Sequence, residues 1–537
     1  MRRGWLGLAL LLGATHTALG QTADSPKDER LAKLVTARLK MVPLKQAVKD
    51  LSKDAGFTLE AATVIWPLKV TILVKDQPIG TVMDRVAGVF HGEWKRDGDL
   101  YRLSIPSEWR NSESAFVEAE NKERRREAEE AIEPLMAGAA VPYQQVMDEL
   151  KKPVDPKAKN SKRPLYEKVS APENYLLGYM FRRMTQAQWQ QFWGGRTMST
   201  VDFLPADDSA SKQPATTAPT RTRRNGTTSG AAGPKAIRAT ASYDPLTGHL
   251  ALNEANIGTA GRLIDRPYPS GELAKLPFAK EVLEWNRGEE DSTELGKPVN
   301  GSPKRPYFGG QASAADVLEW LHDQSGVPIV ADAFRTYVNV PNSGATISAR
   351  LNSFKQANNG FMRIDKGFVS FRYGGFWRLK TMEAPEEYFA AIEKSATPKL
   401  DDYADLALKL SDLQVLPFRV GAGLLKVDPE PLRTALPALR FYGSLSSGQR
   451  RTASAGQPLQ FGALSVGSRE LFLYAMEDPS GQRAGRPLNL QDPSVAQSLG
   501  FLMTSTTAPR GGVVSAAISM LFGTRPGEGV RYMVPIG

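Results

Sequence analysis

In the N-terminal part of the chain, the spacing of hydrophobic positions changes repeatedly between the one typical of a strand and the one typical of a helix. Alternation of apolar and polar residues predicts strands at Leu34–Leu39, Phe57–Ala61 and Lys69–Val74. Between the first two strands the apolar residues recur at helical spacing. Pro43 suits the first turn of this helix, where a residue without an N–H is tolerated, and Gly56 suits its left-handed C-cap. The segment therefore begins with a strand, a helix and two strands.

A second helix and a hairpin complete this pattern. The helix begins at Pro78, and one of its faces carries the apolar residues Ile79, Val82, Met83, Val86 and Val89. Asp97-Gly98 then separates the runs Glu93–Arg96 and Leu100–Leu103. Asp-Gly between two such runs is a strong hairpin signal. The complete order (strand, helix, strand, strand, helix, strand, strand) predicts a small α+β module.

This order resembles the small N-terminal domain of secretins and TonB-dependent receptors, the STN domain. The resemblance covers Thr36–Ile105 and rests on VPLKQAVKDLSKDAGFTLE and VTILVKDQPIGTVMDRVAGVFHGEWKRDGDLYRLS. The first helix of that family carries the pattern V-P-L-x-x-A-L-x-x-L-a-x-x-x-G, which this chain matches at Val42, Pro43, Leu44, Ala47, Val48, Leu51 and Gly56. The resemblance implies a cell-envelope protein that docks onto or signals to another protein. We find neither the pore segment of a secretin nor the long series of alternating strands of an outer-membrane receptor.

A weaker copy of the module lies at Pro306–Phe371. Its first helix repeats the apolar positions and the closing glycine of the first copy, with Gly326 matching Gly56 at an offset of 326 − 56 = 270. Two further matches, at slowly drifting offsets, are Trp377-Arg378 with Trp109-Arg110 (377 − 109 = 268) and Ser446–Gln449 with Thr185–Gln188 (446 − 185 = 261). We therefore expect a duplicated unit, made of one STN-like module and the helical region after it.

Together these patterns predict an α+β fold with two βαββαββ-type modules, joined by helical regions and a flexible linker and followed by a β-rich C-terminal element. The predicted boundaries are 1–20 for a signal peptide, 34–106 for module 1, 107–204 for a helical region, 205–236 for a disordered Ser/Thr/Pro/Arg linker, 237–304 for a β-hairpin and irregular bridge, 305–380 for module 2, 381–469 for a second helical region and 470–537 for the β-rich element.

Three segments between the modules are candidate interaction surfaces. Ser112–Leu135 has few apolar residues at regular spacing, so we expect a solvated helix, with a coiled coil as the alternative. Its glutamates are expected to pair with the basic cluster Lys122–Arg126, for which an anion site is the alternative. Glu173–Trp193 predicts one or two helices dense in aromatic residues, which either pack against the module or form a platform for a carbohydrate or a peptide. Ala206–Lys235 has almost no large apolar residue, and we expect it to be disordered.

Hydrophobic periodicity also predicts helices and strands in the second half of the chain. A hairpin is predicted from Ile237–Tyr243 and His249–Asn253, and helices from Pro385–Lys394 and Tyr403–Leu413. The predicted strands of the tail are Glu470–Met476, Gly500–Thr504, Val513–Phe522 and Gly529–Pro535.

The first 20 residues have the pattern of a cleaved secretory signal. Arg2-Arg3 precede the apolar run Trp5–Leu12, and Ala18-Leu19-Gly20 supplies the small residues of a cleavage site. A buried N-terminal helix is the alternative. Because no later stretch is long and apolar enough to cross a bilayer, we expect an exported, periplasmic or extracellular protein with no transmembrane segment in the mature chain.

Composition narrows the candidate chemistry. The 537 residues carry a net charge of +10, or +8 without Arg2 and Arg3. This mild excess allows weak attraction to anionic polymers and does not indicate a specific nucleic-acid site. There is no cysteine, so disulfides and thiolate chemistry are excluded. The four histidines (His16, His91, His249 and His322) lack metal-ligand spacing, although an all-carboxylate calcium site stays open.

No nucleophile or nucleotide motif is complete. The serines of GSLSSG and GALSVG lack the spacing of a nucleophile elbow, and Ser446 and Ser465 fit helix N-caps better. His322 is expected on the surface of its helix. Acidic pairs such as Asp401-Asp402 stand on polar stretches, and whether the fold brings two carboxylates together stays open. We predict no catalytic, cofactor-binding or metal-binding residue, and no cofactor.

Three functions are compatible with these patterns. The favoured one is a non-catalytic envelope protein whose duplicated STN-like modules serve protein docking or scaffolding, with another envelope protein or itself as partner. A hydrolase of a cell-wall or extracellular polymer is the first alternative, so the question of enzymatic activity stays open. A soluble accessory subunit of a secretion or pilus system is the second. An exposed, unpaired strand would favour docking, and a pocket with two facing carboxylates would favour the hydrolase.

Overall fold

The predicted α+β class is confirmed, because helices and several small sheets alternate along the chain. The computed structural model describes residues 28–153, 162–194, 198–200, 239–244, 249–252, 255–256, 271–285, 293–340, 346–395, 397–419, 421–477, 482–484, 499–510, 513–525 and 528–535. The predicted signal peptide and the predicted linker lie outside these residues.

Module 1 has the predicted order of strands and helices. Its elements are β1 (Leu34–Pro43), α1 (Leu44–Ala55), β2 (Thr58–Ala61), β3 (Lys69–Pro78), α2 (Ile79–Phe90), β4 (Glu93–Asp97) and β5 (Leu100–Ser104). Gly56 adopts the predicted left-handed C-cap of α1. Pro43 and Pro78 end strands and stand at the N-caps of α1 and α2, one residue earlier than predicted. Strands β2, β5 and β4 form one sheet in that order.

The predicted βαββαββ order of module 2 is wrong within the described residues, where module 2 has three strands and strands of module 1 complete its sheet. Its elements are α9 (Ala314–Ser325), β10 (Ile329–Ala333), α10 (Ile347–Ala357), β11 (Phe361–Asp365) and β12 (Phe368–Arg372). The strand order of the shared sheet is β1-β3-β10-β12-β11. Strand β3 pairs with β10 in antiparallel register, from Leu73 opposite Ile329 to Lys69 opposite Ala333. The two modules therefore share one hydrogen-bonded sheet.

The shared sheet is covered on both faces. Val330 of β10 packs with the core of module 1, whereas its neighbours Ile329 and Ala331 pack with the core of module 2. All five residues of β10 are buried, as expected of a central strand with helices on both sides. Burial of one aliphatic side chain of this size stabilises a fold by about 1.5–3 kcal/mol. Strand β10 therefore holds the modules together through both backbone pairing and side-chain burial.

A helical unit follows module 1 and leads into module 2. Its elements are α3 (Ser107–Gly138), α4 (Tyr143–Lys151), α5 (Arg163–Lys168), α6 (Pro172–Arg183), α7 (Gln186–Trp193), β6 (Met198–Ser199), β7 (Thr240–Asp244), β8 (His249–Leu252), β9 (Ala255–Asn256) and α8 (Pro277–Trp285). Strands β7 and β8 pair as the predicted hairpin. Helices α3 to α7 and this hairpin enclose one hydrophobic core.

A second helical unit follows module 2. Its elements are α11 (Phe376–Met382), α12 (Glu386–Lys394), α13 (Leu400–Lys409), α14 (Asp412–Arg419), α15 (Glu430–Thr434), α16 (Leu436–Ser444), α17 (Ser447–Ser454), β13 (Leu459–Gln460), α18 (Val466–Glu477), β14 (Gln482–Ala484), β15 (Gly500–Arg510), β16 (Val513–Arg525) and β17 (Glu528–Pro535). The predicted strand Glu470–Met476 is wrong, because these residues belong to α18. Its apolar run also fits a helix, with Phe472, Ala475 and Met476 buried on one side.

The two halves of the chain pair their strands in the same way. In module 1 Leu59 lies opposite Tyr101 in a parallel pair, and in module 2 Ile329 lies opposite Val369 in another. The offsets, 329 − 59 = 270 and 369 − 101 = 268, equal those of the sequence matches. The helical units show the same agreement, since β6 pairs with β7 through Met198 and Ala241 and β13 pairs with β15 through Leu459 and Phe501, at offsets of 261 and 260.

Candidate functional site

The two histidines whose side chains the structure describes, His91 and His322, occupy packing positions rather than reactive ones. His91 is buried and stacks on Trp109, with ring centroids 3.7 Å apart, and burial holds its pKa well below the ordinary value, so the ring is neutral. His322 is half-buried, and its Nδ1 lies 2.8 Å from the carbonyl oxygen of Val327. The side chains of His16 and His249 lie outside the described part of the chain. No serine of the described residues hydrogen-bonds to either described imidazole.

The other residues considered for chemistry serve the fold. Ser446 accepts from the backbone N–H of Gln449 at 3.3 Å, and Ser465 accepts from that of Ser468 at 3.2 Å, so both are N-caps as predicted. The carboxylate of Asp401 pairs with Arg450 at 3.0 Å. Among the described residues, no cluster of three or more His, Asp or Glu side chains could hold a metal ion.

Two sets of buried charges lie where the modules meet. Lys69 of β3 is almost fully buried, and its ammonium group donates to Glu383 and, at 2.5 Å, to Glu386. Arg335 binds Glu386 at 2.5 Å and Glu393 at 2.6 Å. These ion pairs connect the shared sheet to α12. Every charge in the set has a counter-charge, so the role of this arrangement is structural: it holds α12 against the shared sheet.

Asp332 of β10 and Arg372 of β12 form the second set. Their nearest charged atoms are 3.8 Å apart, and both side chains are buried. Asp332 also accepts from the backbone N–H of Tyr373 at 2.9 Å. Burial raises the pKa of Asp332 to about 7, although the cation of Arg372 opposes this shift. Sequence reasoning missed both residues, and the signal that could have found them is a charge inside a buried strand.

The candidate site is an open groove between helices α3 and α7, which we call the α3–α7 groove. Its volume is about 1100 Å³. Along α3 it extends from Arg125 to Ala137, a length of about 18 Å at the rise of an α-helix. Ile132 and Met136 form an apolar floor, and Arg182 of α6 closes one end. This size suits a peptide segment or a similarly large ligand.

Two of the aromatic residues of the predicted helices Glu173–Trp193, namely Trp189 and Trp193, line the groove. Phe181, Trp189 and Trp193 stack in a column with centroid separations of 5.5 and 5.6 Å, and the guanidinium of Arg125 lies 4.8 Å from the ring of Trp193. The column belongs to the core of the helical unit, not to module 1. The rings stack on one another, so the ring faces that a sugar platform would need are occupied. The indole N–H groups of the two tryptophans bind no described residue and remain as donors for a ligand.

The charges of the groove are nearly balanced. Arg125 pairs with Glu129 at 2.9 Å, and Arg126 pairs with Glu123 at 2.5 Å and with Glu130. The expected pairing of the Lys122–Arg126 cluster with flanking glutamates is therefore confirmed for these two arginines. Because they are already paired, the groove is poorly suited to a polyanion. Unpaired polar groups within the described residues include the side chains of Glu133, Gln186 and Gln190.

Helix α3 connects this groove to the shared core, which corrects the prediction of a solvated helix. One stripe of α3 is buried: Trp109, Glu113, Phe116, Glu120, Arg124, Ala128, Ile132 and Leu135. Three of these residues are charged, so the pattern of hydrophobic residues in the sequence does not reveal that the stripe is buried. Glu113 binds Lys380 at 2.5 Å, and Glu120 accepts from the indole of Trp377 at 3.1 Å and pairs with Arg378.

Comparison with known proteins adds no relative. Neither protein-family models, nor curated proteins, nor solved structures give a match to this chain. Within the residues that the structure describes, no helix combines the length and apolar character needed to cross a membrane.

Proposed function

We propose that this protein is an exported, non-catalytic scaffold of the cell envelope that docks a partner protein in the α3–α7 groove. The groove carries the proposal, because it combines an apolar floor, free indole and amide groups and balanced charges. Such a surface suits the side chains and backbone groups of a peptide segment. The described lining includes no histidine, serine or cysteine. Its three carboxylates, Glu129, Glu130 and Glu133, all lie on α3, so they do not face each other from two elements as a hydrolase pair would.

The arrangement of the modules supports the scaffold part of the proposal. Their adjoining strands β3 and β10 pair with each other, and the buried ion pairs of Lys69 hold the junction. We also propose that both modules are STN-like and arose by duplication. The equal offsets between sequence matches and strand pairs support this origin. The N-terminal signal pattern supports export.

Site-specific photo-crosslinking in the native envelope tests the docking surface. A photoreactive residue in place of Gln190, which is exposed in the groove, is expected to capture one defined protein. The same residue in place of Lys49, on an exposed part of α1, is the matched control and is expected to capture none. Replacement of Gln186 and Glu133 by Ala should weaken the captured complex by about tenfold if each contributes a typical polar contact. Equal labelling from both positions, or polymer turnover without a captured protein, would contradict the proposal.

A further inference from the structure

The two helical units place helices in matching positions. Helix α7 of the first unit and α17 of the second both begin with a capping box, at the offset of 261 found in the sequence. The preceding helix packs against α3 in the first unit and against α13 in the second. Arg182 of α6 donates to the carbonyl of Ala139, the C-cap of α3, at 2.8 Å. Arg440 of α16 likewise donates to that of Leu410, the C-cap of α13, at 2.7 Å. Helix α13 is therefore the counterpart of the C-terminal part of α3.

In the second unit an arginine connects the two helices. Arg450 of α17 donates to Asp401 at 3.0 Å and to Asp405 at 3.3 Å, and both acceptors lie on α13. It also donates to the carbonyl of Gly443 at the end of α16. A guanidinium suits this place, because its five N–H donors can serve several acceptors at once.

The first unit has a tryptophan at the position of that arginine. Trp189 of α7 corresponds to Arg450, since 189 + 261 = 450. An indole has a single N–H donor and cannot bind two carboxylates as a guanidinium does. Trp189 instead stacks on Phe181 and Trp193 beside the α3–α7 groove. The first unit therefore has an open groove where the second unit has an arginine.

The carboxylates that would receive an arginine are nevertheless present in the first unit. Glu130 and Glu133 lie nine and six residues before the C-cap of α3 (139 − 130 = 9, 139 − 133 = 6), and both line the groove. Asp401 and Asp405 lie nine and five residues before the C-cap of α13 (410 − 401 = 9, 410 − 405 = 5). Glu130 binds Arg126 through Oε1. Glu133 is exposed and has no hydrogen-bond or ion-pair partner among the described residues.

We infer that the segment docked in the α3–α7 groove carries an arginine, whose guanidinium lies where that of Arg450 lies in the second unit and pairs with Glu133 and Glu130. This inference rests on the proposed function and names the residue that the partner supplies. The apolar floor of Ile132 and Met136 favours apolar neighbours on either side of that arginine. A docked segment would also shield the ion pair from water, which strengthens it relative to an exposed pair.

Titration of the full-length protein with two synthetic peptides tests this inference. The probes are acetyl-Leu-Arg-Leu-amide and the same peptide with citrulline, which has nearly the shape of arginine and no charge. Fluorotryptophan incorporated into the protein reports binding through the fluorine NMR signals of Trp189 and Trp193, assigned by substitution of each with Phe. The arginine peptide is expected to shift both signals and to bind about tenfold more tightly than the citrulline peptide.

Variants of α3 test whether the preference depends on the unpaired carboxylate. Glu133→Gln should reduce the preference to about twofold, because the charge that attracts the guanidinium is gone. Glu118→Gln is the matched control, since Glu118 is an exposed glutamate of the same helix outside the groove, and it should keep the full preference. Equal affinities of the two peptides, no shift of either tryptophan signal, or an unchanged preference in Glu133→Gln would overturn the inference. Failure of the Gln190 photo-crosslink to capture a protein would instead contradict the docking proposal.

Discussion

At the scale of single residues, the buried charges are the least ordinary feature of this protein. Asp332 and Arg372 stand on neighbouring strands of the shared sheet, with only a 3.8 Å approach between their charged atoms. Lys69 and Arg335, in contrast, each make close ion pairs with two carboxylates. Burial of a charge with incomplete pairing costs free energy, so the Asp332–Arg372 pair lowers the stability of the folded protein.

The pH dependence of stability tests the state of Asp332. Because burial raises its pKa from 3.8 to about 7, the folded protein retains a proton that the unfolded chain has released. The contribution of this group to the free energy of unfolding therefore falls as the pH rises from about 4 to about 7, by up to about 4 kcal/mol. Asp332→Asn has no such proton to lose, so its stability should fall less over this range. Denaturant titrations at several pH values measure the difference.

The control for this experiment is Asp54→Asn, because Asp54 is exposed on α1. It should keep the pH profile of the unaltered protein. Parallel profiles for the Asp332→Asn variant and the unaltered protein would contradict the account of Asp332.

At the scale of elements, sequence patterns predicted those helices and strands that depend on the spacing of residues close together in the chain. The seven elements of module 1 follow from alternation, helical spacing, proline and glycine. The α18 segment was predicted as a strand because a continuous apolar run fits either element. Helix α3 was predicted to be solvated because its buried stripe contains Glu113, Glu120 and Arg124. Glu113 and Glu120 pair with Lys380 and Arg378, which are distant in sequence, so local periodicity cannot find these partners. Arg124 pairs with Glu120 of the same helix.

The junction between β3 and α12 provides a test at this scale. Lys69→Met removes the ammonium group that binds Glu383 and Glu386 and leaves Glu383 buried without its cation. Loss of one partner of a buried ion pair destabilises a protein by about 3–5 kcal/mol. Lys53→Met, which breaks an exposed pair with Asp50, is the control and should cost less than about 0.5 kcal/mol. Equal losses, measured by denaturant unfolding, would contradict a structural role for Lys69.

At the scale of the whole molecule, the central result is that two modules share one sheet. The sequence predicted the modules and the offset between them, but not that β3 of one would pair with β10 of the other, because β10 reads as an ordinary buried strand of its own module. The α3–α7 groove was likewise predicted only in parts. Its basic cluster and its aromatic helices were identified separately, and tertiary packing brings Arg125 against Trp193.

Native-state hydrogen exchange on the full-length protein tests this central result most directly. The amides of Ile72 and Leu73 in β3 lie beside those of Ile329 and Val330 in β10. If the sheet is shared, both strands should exchange through one cooperative opening, with the same free energy and the same dependence on denaturant. Exchange of β10 at low denaturant while β3 stays protected would show that the modules open independently, and it would contradict the account of a single scaffold.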